Sequence, residues 1–180
     1  MEKEINKTIE VLKKGGVILY PTDTIWGIGC DATNSNAISK IFKIKKRKNS
    51  KSLISLVANH QQLKNITGYI PNLDIISNPT TIIYPSTVTL NKELLARDGS
   101  AGIRIVQDNF CQEIIQRLGK PLVSTSANIS DSVSPKKFSE ISEEIKKNMD
   151  YIVNLRKTEL MATPSTILRI NKDGTNTKIR

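Results

Sequence analysis

Short apolar runs that alternate with amphipathic segments constrain the fold of this chain more than any other feature. Runs of four to six residues, rich in apolar and β-branched side chains, have the length of strands and are too short for buried helices. They are VILY (17–20), LISLV (53–57), TTIIY (80–84), AGIRIV (101–106), PLVSTS (121–126), YIVNL (151–155) and STILRI (165–170), with TKIR (177–180) as a last short candidate. Strands that alternate with helices form α/β domains, so we predict a twisted, mixed sheet flanked by helices.

Amphipathic segments between these runs predict the helices, because apolar residues recur there at helical spacing and small polar residues precede them as caps. The predicted helices cover 3–14, a segment beginning at Asn34 or Ser35, 61–66, a segment beginning at Asp108 or Asn109, and one beginning at Ser134-Pro135. The last of these should place Phe138, Ile141 and Ile145 on one face. PTDTIWGIG (21–29) is predicted to be a loop, and 157–163 a flexible one.

Composition limits the class of protein. A chain of 180 residues suits one domain, which we predict to span 1–180. No apolar run approaches the roughly 18–20 residues of a membrane span, and the N-terminus is charged from its second residue, so a cytoplasmic protein is expected. With one histidine, His60, and the separated cysteines Cys30 and Cys111, we expect neither a protein-built metal site nor a Ser-His-Asp triad.

Hydroxyl-bearing segments adjoin three of the predicted strands. PTDT (21–24) and STSANIS (124–130) follow or end strands, and PSTI (164–167) opens one. Turn preferences alone explain any one of them. Together they predict a crevice lined by hydroxyls, since ligands of open α/β sheets bind where strand ends converge.

A basic stretch, KIKKRKNSK (43–51), raises the question of its anion. Seven basic residues and no acidic residue lie between Lys40 and Lys51, and the chain carries a net charge of +10. A solvated helix end, a nucleic acid and a phosphorylated small molecule all remain open. Neither a P-loop pattern nor GxGxxG is present, so a phosphate would be held by side-chain cations. No aromatic residue interrupts the stretch, which gives little support to base stacking.

Arg104 lies within the apolar strand GIRIV, where a charged group must be paired or face a ligand. A planar guanidinium suits a carboxylate in a bidentate arrangement. The hydroxyl crevice, this arginine and the basic stretch together indicate an enzyme that joins a small carboxylic acid or amino acid to a nucleotide.

Three longer stretches, in this order and spacing, resemble the YrdC/TsaC family of threonylcarbamoyl-adenylate synthases. They are GGVILYPTDTIWGIGCDATN (15–34), KIFKIKKRKNSKSLISLVAN (40–59) and KPLVSTSANIS (120–130), and the likeness extends over roughly residues 5–180. The resemblance implies a basic concave face on the sheet. It also implies that L-threonine, bicarbonate or CO2, and ATP with Mg²⁺ give threonylcarbamoyl-AMP and pyrophosphate. Partner proteins would then transfer the threonylcarbamoyl group to adenosine 37 of tRNA.

The resemblance also implies site residues. Lys45 and Arg47 would act in catalysis and hold the ATP phosphates. Threonine would be bound by Thr24, Arg104, Ser124 and Ser165, and ATP further by Lys51, Ser100, Ser126, Asn128, Ser134 and Arg180. The chain departs from the family pattern at Lys48, Ser52, the SNPTT segment (77–81), Val106 and Asp131.

Other functions make different demands on the sequence. A basic concave face could instead bind double-stranded RNA by shape and charge, without catalysis. A hydrogenase-maturation carbamoyl transferase would need zinc-finger cysteines, and a serine hydrolase of the common type would need G-x-S-x-G. Neither pattern occurs in this sequence.

Overall fold

The computed structural model describes residues 1–46, 53–71, 78–171 and 173–180. Within these ranges the chain forms five α-helices, nine strands and two short 3₁₀ turns. The helices are α1 (Glu2–Lys13), α2 (Ser35–Ile44), α3 (His60–Thr67), α4 (Asn109–Leu118) and α5 (Glu143–Lys147). The strands are β1 (Ile18–Tyr20), β2 (Gly27–Gly29), β3 (Ile54–Val57), β4 (Thr80–Tyr84), β5 (Ala101–Ile105), β6 (Leu122–Ser126), β7 (Tyr151–Ile152), β8 (Thr166–Ile170) and β9 (Asn176–Lys178).

The strands form one mixed sheet in the order β7-β1-β2-β6-β3-β5-β4-β8-β9. β1 and β7, β3 and β5, and β4 and β8 pair in parallel, while the remaining neighbours are antiparallel. The predicted fold class, a mixed α/β sheet with flanking helices, is therefore confirmed. The predicted basic character of its concave face stays a prediction.

The helices cover both faces of one half of the sheet and one face of the other. α2 packs with Trp26 and Ile28 in one buried cluster, while α1 and α4 pack together on the opposite face of β1. α3 packs with Ile82, Ile103 and Ile170 from β4, β5 and β8. Because side chains alternate along a strand, the neighbours of those isoleucines point to the other face, which carries the pocket described below.

Two predictions about local structure were wrong. The last three residues of PTDTIWGIG form β2, which pairs with β1 and β6. Because glycine is disfavoured in strands in general, the residue types of this segment did not indicate a strand. Gly29 is required sterically, because a Cβ there would lie 2.5 Å from the Val123 carbonyl oxygen and 2.7 Å from the Tyr20 ring.

The second wrong prediction is the helix at Ser134-Pro135. A 3₁₀ turn covers Phe138–Glu140, and α5 begins only after Ser142, whose side chain accepts from the Ile145 amide. The nearer cap therefore determines where the helix starts. Ile141 and Ile145 are nevertheless buried as predicted, and Phe138 packs against the same cluster.

Candidate active site

A pocket of about 360 Å³ lies on the face of the sheet opposite α3. Its floor is built from alternate residues of neighbouring strands, the arrangement expected of one pleated face. These residues are Gly27 of β2, Ile54 of β3, Thr81 and Ile83 of β4, Gly102 and Arg104 of β5, Ser124 and Ser126 of β6, and Ile167 and Arg169 of β8. The crevice therefore crosses the sheet face, rather than lying only beyond the strand ends.

Most of the residues for which the family resemblance implies a ligand contact line this pocket. Its lining includes Thr24, Ser100, Arg104, Ser124, Ser126, Ser134, Ser165 and Arg180. The predicted convergence of the three hydroxyl segments is confirmed, because Thr24, Ser124 and Ser165 come from different segments. Which ligand each side chain contacts stays a prediction.

The hydroxyls in the pocket are arranged in hydrogen-bonded pairs. The Thr22 and Thr24 hydroxyl oxygens lie 3.0 Å apart, and Thr22 also donates to the Ile25 carbonyl oxygen. Across the pocket, the Thr81 and Ser165 hydroxyl oxygens lie 2.9 Å apart. Because Thr22 gives its hydrogen to Ile25, Thr24 donates to Thr22 and offers a ligand only its oxygen lone pairs. In the Thr81–Ser165 pair, the hydroxyl that accepts keeps its own hydrogen for another acceptor. Each pair therefore presents directed polar groups to a small ligand.

Arg104 is buried at the floor of the pocket and is held by Asp23 of the PTDT segment. Its Nη2 donates to Asp23 Oδ1 at 2.8 Å, and both side chains are less than a tenth exposed. The other Asp23 oxygen accepts from the Gln107 amide at 3.0 Å. The Arg104 Nε has no hydrogen-bond partner within the described residues. A buried N–H of this kind is costly unless a ligand accepts from it, so this side of the guanidinium suits a carboxylate.

Tyr20 lies beneath this part of the pocket as a neutral group. Its hydroxyl donates to the Val123 carbonyl oxygen at 3.3 Å, and the residue has no exposed surface. Burial raises the pKa of the Tyr20 phenol well above its ordinary value. Tyr20 is therefore a packing residue here, and the charge at this end of the pocket belongs to Arg104 and Asp23.

At the other end of the pocket, Ser100 is fixed by Asp98. The Asp98 carboxylate accepts from both the hydroxyl and the amide of Ser100, at 2.6 and 3.0 Å. These two hydrogen bonds lower the pKa of Asp98 below its ordinary value. Asp98 also pairs with Arg169 at 3.3 Å.

Arg180 donates through Nε and Nη2 to the Ser165 carbonyl oxygen.

Lys45 and Asn128 lie behind the pocket lining. The Lys45 side chain is buried, and its ammonium donates to the carbonyl oxygens of Ser126 and Asn128 at 2.5 and 2.6 Å. It therefore fixes the turn that carries Ser126 into the pocket. Arg47 and Lys51, the other predicted phosphate ligands, lie outside the described residues.

Sequence reasoning missed several residues of this site, chiefly Asp23, Thr22, Thr81, Asp98 and Arg169. Asp23 was within a quoted segment, and the demand that a buried Arg104 be paired could have pointed to it. Thr22 lies in the same segment, and Asp98 binds the nearby Ser100. Thr81 and Arg169 could not be found in this way, because they enter the site through the pairing of β4 with β8.

A family model named Sua5_yciO_yrdC, described as "Telomere recombination", matches residues 10–180 of the chain. The threonylcarbamoyl-AMP synthase of Blochmanniella pennsylvanica is 32% identical over 162 residues, which cover 86% of this chain and 81% of that protein. A putative threonylcarbamoyl-AMP synthase of Methanocaldococcus jannaschii is 33% identical over 181 residues, covering 96% of this chain and 84% of that protein.

A solved structure has a similar fold. The crystal structure of P. abyssi Sua5 complexed with L-threonine superposes with a TM-score of 0.88 and 22% identity. The similarity covers 100% of this chain and 54% of the Sua5 chain, so the present chain spans about half the length of that protein.

Proposed function

The chain belongs to the Sua5/YciO/YrdC family, and we propose that it is an L-threonylcarbamoyladenylate synthase. In this reaction L-threonine, bicarbonate or CO2, and ATP give threonylcarbamoyl-AMP and pyrophosphate. The observation that carries the proposal is the buried Arg104, whose Nε has no partner within the described part of the chain and which lines a pocket rich in hydroxyls. The two relatives, named threonylcarbamoyl-AMP synthase and putative threonylcarbamoyl-AMP synthase, and the threonine-bound Sua5 support the same substrate.

Threonine is proposed to bind at the end of the pocket that contains Arg104. The guanidinium would hold the threonine carboxylate, because an unpaired N–H next to an ion-paired Nη2 leaves one side of the fork for an incoming anion. The hydroxyls of Thr24, Ser124 and Ser165 would orient the threonine amine and its side-chain hydroxyl. Together these contacts would fix how the threonine amine faces the reacting carbon.

ATP is proposed to occupy the remainder of the pocket. Ser100, Ser126, Ser134 and Arg180 line the pocket with hydroxyl and guanidinium groups. Arg180 lies beside Ser165, whose carbonyl oxygen it binds, so it is proposed to reach the nucleotide from that side. Lys45 and Asn128 would shape the turn that presents Ser126. Arg47 and Lys51, which lie outside the described residues, are proposed to neutralise the triphosphate directly. Lys45 is proposed to add its positive charge from behind the lining, since its ammonium is held by the Ser126 and Asn128 carbonyl oxygens.

The chemistry requires no acid–base pair on the protein. The neutral amine of threonine adds to CO2 and releases a proton to solvent, or adds to bicarbonate with loss of water, and in either case forms a carbamate. A carbamate oxygen then attacks the α-phosphorus of ATP. The bond between the α-phosphorus and the α,β-bridging oxygen breaks, and pyrophosphate leaves with the electron pair of that bond. The protein's contribution is to position the reactants and to offset the charge that accumulates on the leaving group.

Magnesium is proposed to enter with the nucleotide. Among the described residues, no group of three or more His, Cys, Asp or Glu side chains could hold a metal ion. An ion bound mainly by phosphate oxygens and water needs few protein ligands. When bound, Mg²⁺ would share in neutralising the leaving pyrophosphate.

The product is proposed to serve the modification of adenosine 37 of tRNA, with partner proteins carrying out the transfer.

None of the described helices is long and apolar enough to cross a bilayer. Cytoplasmic location and direct RNA binding stay predictions from sequence.

Product identification tests the proposed function. The protein is incubated with Mg-ATP, ¹³C-bicarbonate and L-threonine, and the mixture is analysed by mass spectrometry. We expect threonylcarbamoyl-AMP with one ¹³C atom, and a much smaller yield with valine, which has the shape of threonine without its hydroxyl. A nucleotide product without the label would contradict the proposed reaction.

A further inference from the structure

Arg156 adopts a backbone conformation that arginine seldom takes. Its φ is +53°, and only two other non-glycine residues in the described part of the chain, Lys46 and Asp131, have a positive φ. Such a conformation costs free energy for a residue with a Cβ and persists where surrounding contacts hold it. For Arg156, the contacts that hold this conformation include those of its side chain.

The Arg156 guanidinium contacts three acceptors in three parts of the chain. Its Nη1 donates to the Thr22 carbonyl oxygen at 3.0 Å and to Asp108 Oδ2 at 2.8 Å. Its Nε donates to Glu159 Oε2 at 2.7 Å. Only the fork of an arginine can donate in these directions at once, since lysine carries a single ammonium group.

Two of these acceptors are themselves fixed. Asp108 is the N-cap of α4 and accepts through its other oxygen from the Cys111 amide. Thr22 is in the PTDT segment, and its hydroxyl pairs with that of Thr24. Arg156 therefore ties the PTDT segment to the start of a buried helix by way of the Thr22 carbonyl.

Arg156 also lies near the start of a segment that ends in the pocket. Residues 153–165 connect β7, first in the strand order, to β8, eighth in that order. The segment is held midway by Met161, whose amide donates to the Lys136 carbonyl oxygen and whose side chain is buried. It ends at Pro164 and Ser165, both of which line the pocket. Thus one arginine connects the two segments that carry Thr24 and Ser165.

We propose that Arg156 is a positioning residue for the amino-acid end of the pocket, acting through the Thr22 carbonyl and the crossing segment 153–165. This inference rests on the proposed function, because it takes threonine as the small ligand. Arg156 itself does not line the pocket. It holds Thr24 at the separation from Ser165 that a threonine-sized ligand requires, and it has no contact with Ser100, Ser126 or Ser134 at the nucleotide end.

The experiment compares substrate affinities rather than activity alone. In R156G the backbone keeps its positive φ without strain and only the side-chain contacts are lost. R156K keeps the charge but not the fork, and provides a second variant if R156G folds poorly. R117A is the matched control, since Arg117 also binds two carboxylates, Glu2 and Glu113, but lies on the exposed surface near the other end of α4.

We expect the Kd for L-threonine, measured by calorimetry, to rise at least fivefold in R156G, by less in R156K and not at all in R117A. The KM for ATP should stay within twofold of the wild-type value in all three. An unchanged threonine Kd in R156G, or an equal rise in the Kd for threonine and the KM for ATP, would overturn the proposal. If the wild-type protein itself shows no threonine binding, the proposed function has failed, and the inference fails with it.

Discussion

Asp23 and Arg104 form the ion pair on which the small-ligand end of the pocket depends. The sequence identified Arg104 as a charge that needed a partner, but Asp23 lies 81 residues earlier in the chain. Only the tertiary structure brings them together, which is why the need for a partner was evident from the sequence while its identity was missed. The same limit applies to the hydroxyls of Thr81 and Ser165, which meet because β4 and β8 pair.

Replacing Asp23 should destabilise the protein strongly. D23A leaves the buried Arg104 charge unpaired, and we expect the free energy of unfolding to fall by about 3–5 kcal/mol. Denaturant unfolding in the absence of ligands measures this. D98A is the control: Asp98 pairs with an arginine at a more exposed position, so its loss leaves no buried charge unpaired and removes only that pair and two hydrogen bonds from Ser100, and the cost should be smaller than in D23A. Equal losses in the two variants would contradict the burial argument.

Arg104 also allows a prediction about binding. R104K keeps a positive charge near Asp23 but cannot donate to a carboxylate through two parallel N–H groups. We expect the affinity for L-threonine to fall at least tenfold while that for ATP changes little, as measured by calorimetry. Wild-type threonine affinity in R104K would exclude a bidentate carboxylate contact at this residue.

At the scale of elements, most helices and strands could be predicted from local signals. Asn34 and Asp108 cap their helices, each being one of the two positions that the sequence indicated. There are two exceptions, one due to distant partners and the other to a nearer cap. β2 is a strand because β1 and β6 lie on either side of it, and the short α5 begins where Ser142 caps it rather than at Ser134.

The close packing of β2 gives a prediction for its glycines. G29A would bring a Cβ to 2.5 Å from the Val123 carbonyl oxygen, which is part of the backbone and cannot move away easily. We expect a loss of about 2–3 kcal/mol of stability by denaturant unfolding. In G27A the nearest atom is the Ser124 hydroxyl at 3.2 Å, so the loss should be smaller. The reverse order would mean that β2 is not packed as described.

At the scale of the whole molecule, the sequence predicted a mixed α/β fold because alternating periodicities are a global signal. It did not predict how the strands are ordered, since that order depends on side-chain packing across the sheet. The order matters for function: it places β8 beside β4, and so brings Ser165 and Arg180 to a pocket whose other walls come from β2 to β6. That the chain is a single domain over 1–180 stays a prediction.

The buried cysteines report on the integrity of the whole fold. Cys30 and Cys111 are free thiols with no exposed surface, and burial raises the pKa of each above its ordinary value. A raised thiol pKa leaves less thiolate at pH 8, and thiolate is the reactive form. We expect neither thiol to react with a disulfide reagent at pH 8 in the native protein, and both to react in denaturant. Rapid labelling of the native protein would contradict the described packing.

Pyrophosphate release is the most direct test of the proposed synthesis of threonylcarbamoyl-AMP. The wild-type protein is given Mg-ATP, bicarbonate and L-threonine, and each component is omitted in turn. We predict pyrophosphate release only in the complete mixture. When threonine or bicarbonate is left out, release should fall to the background rate. Equal release without threonine, or no release from the complete mixture, would contradict it.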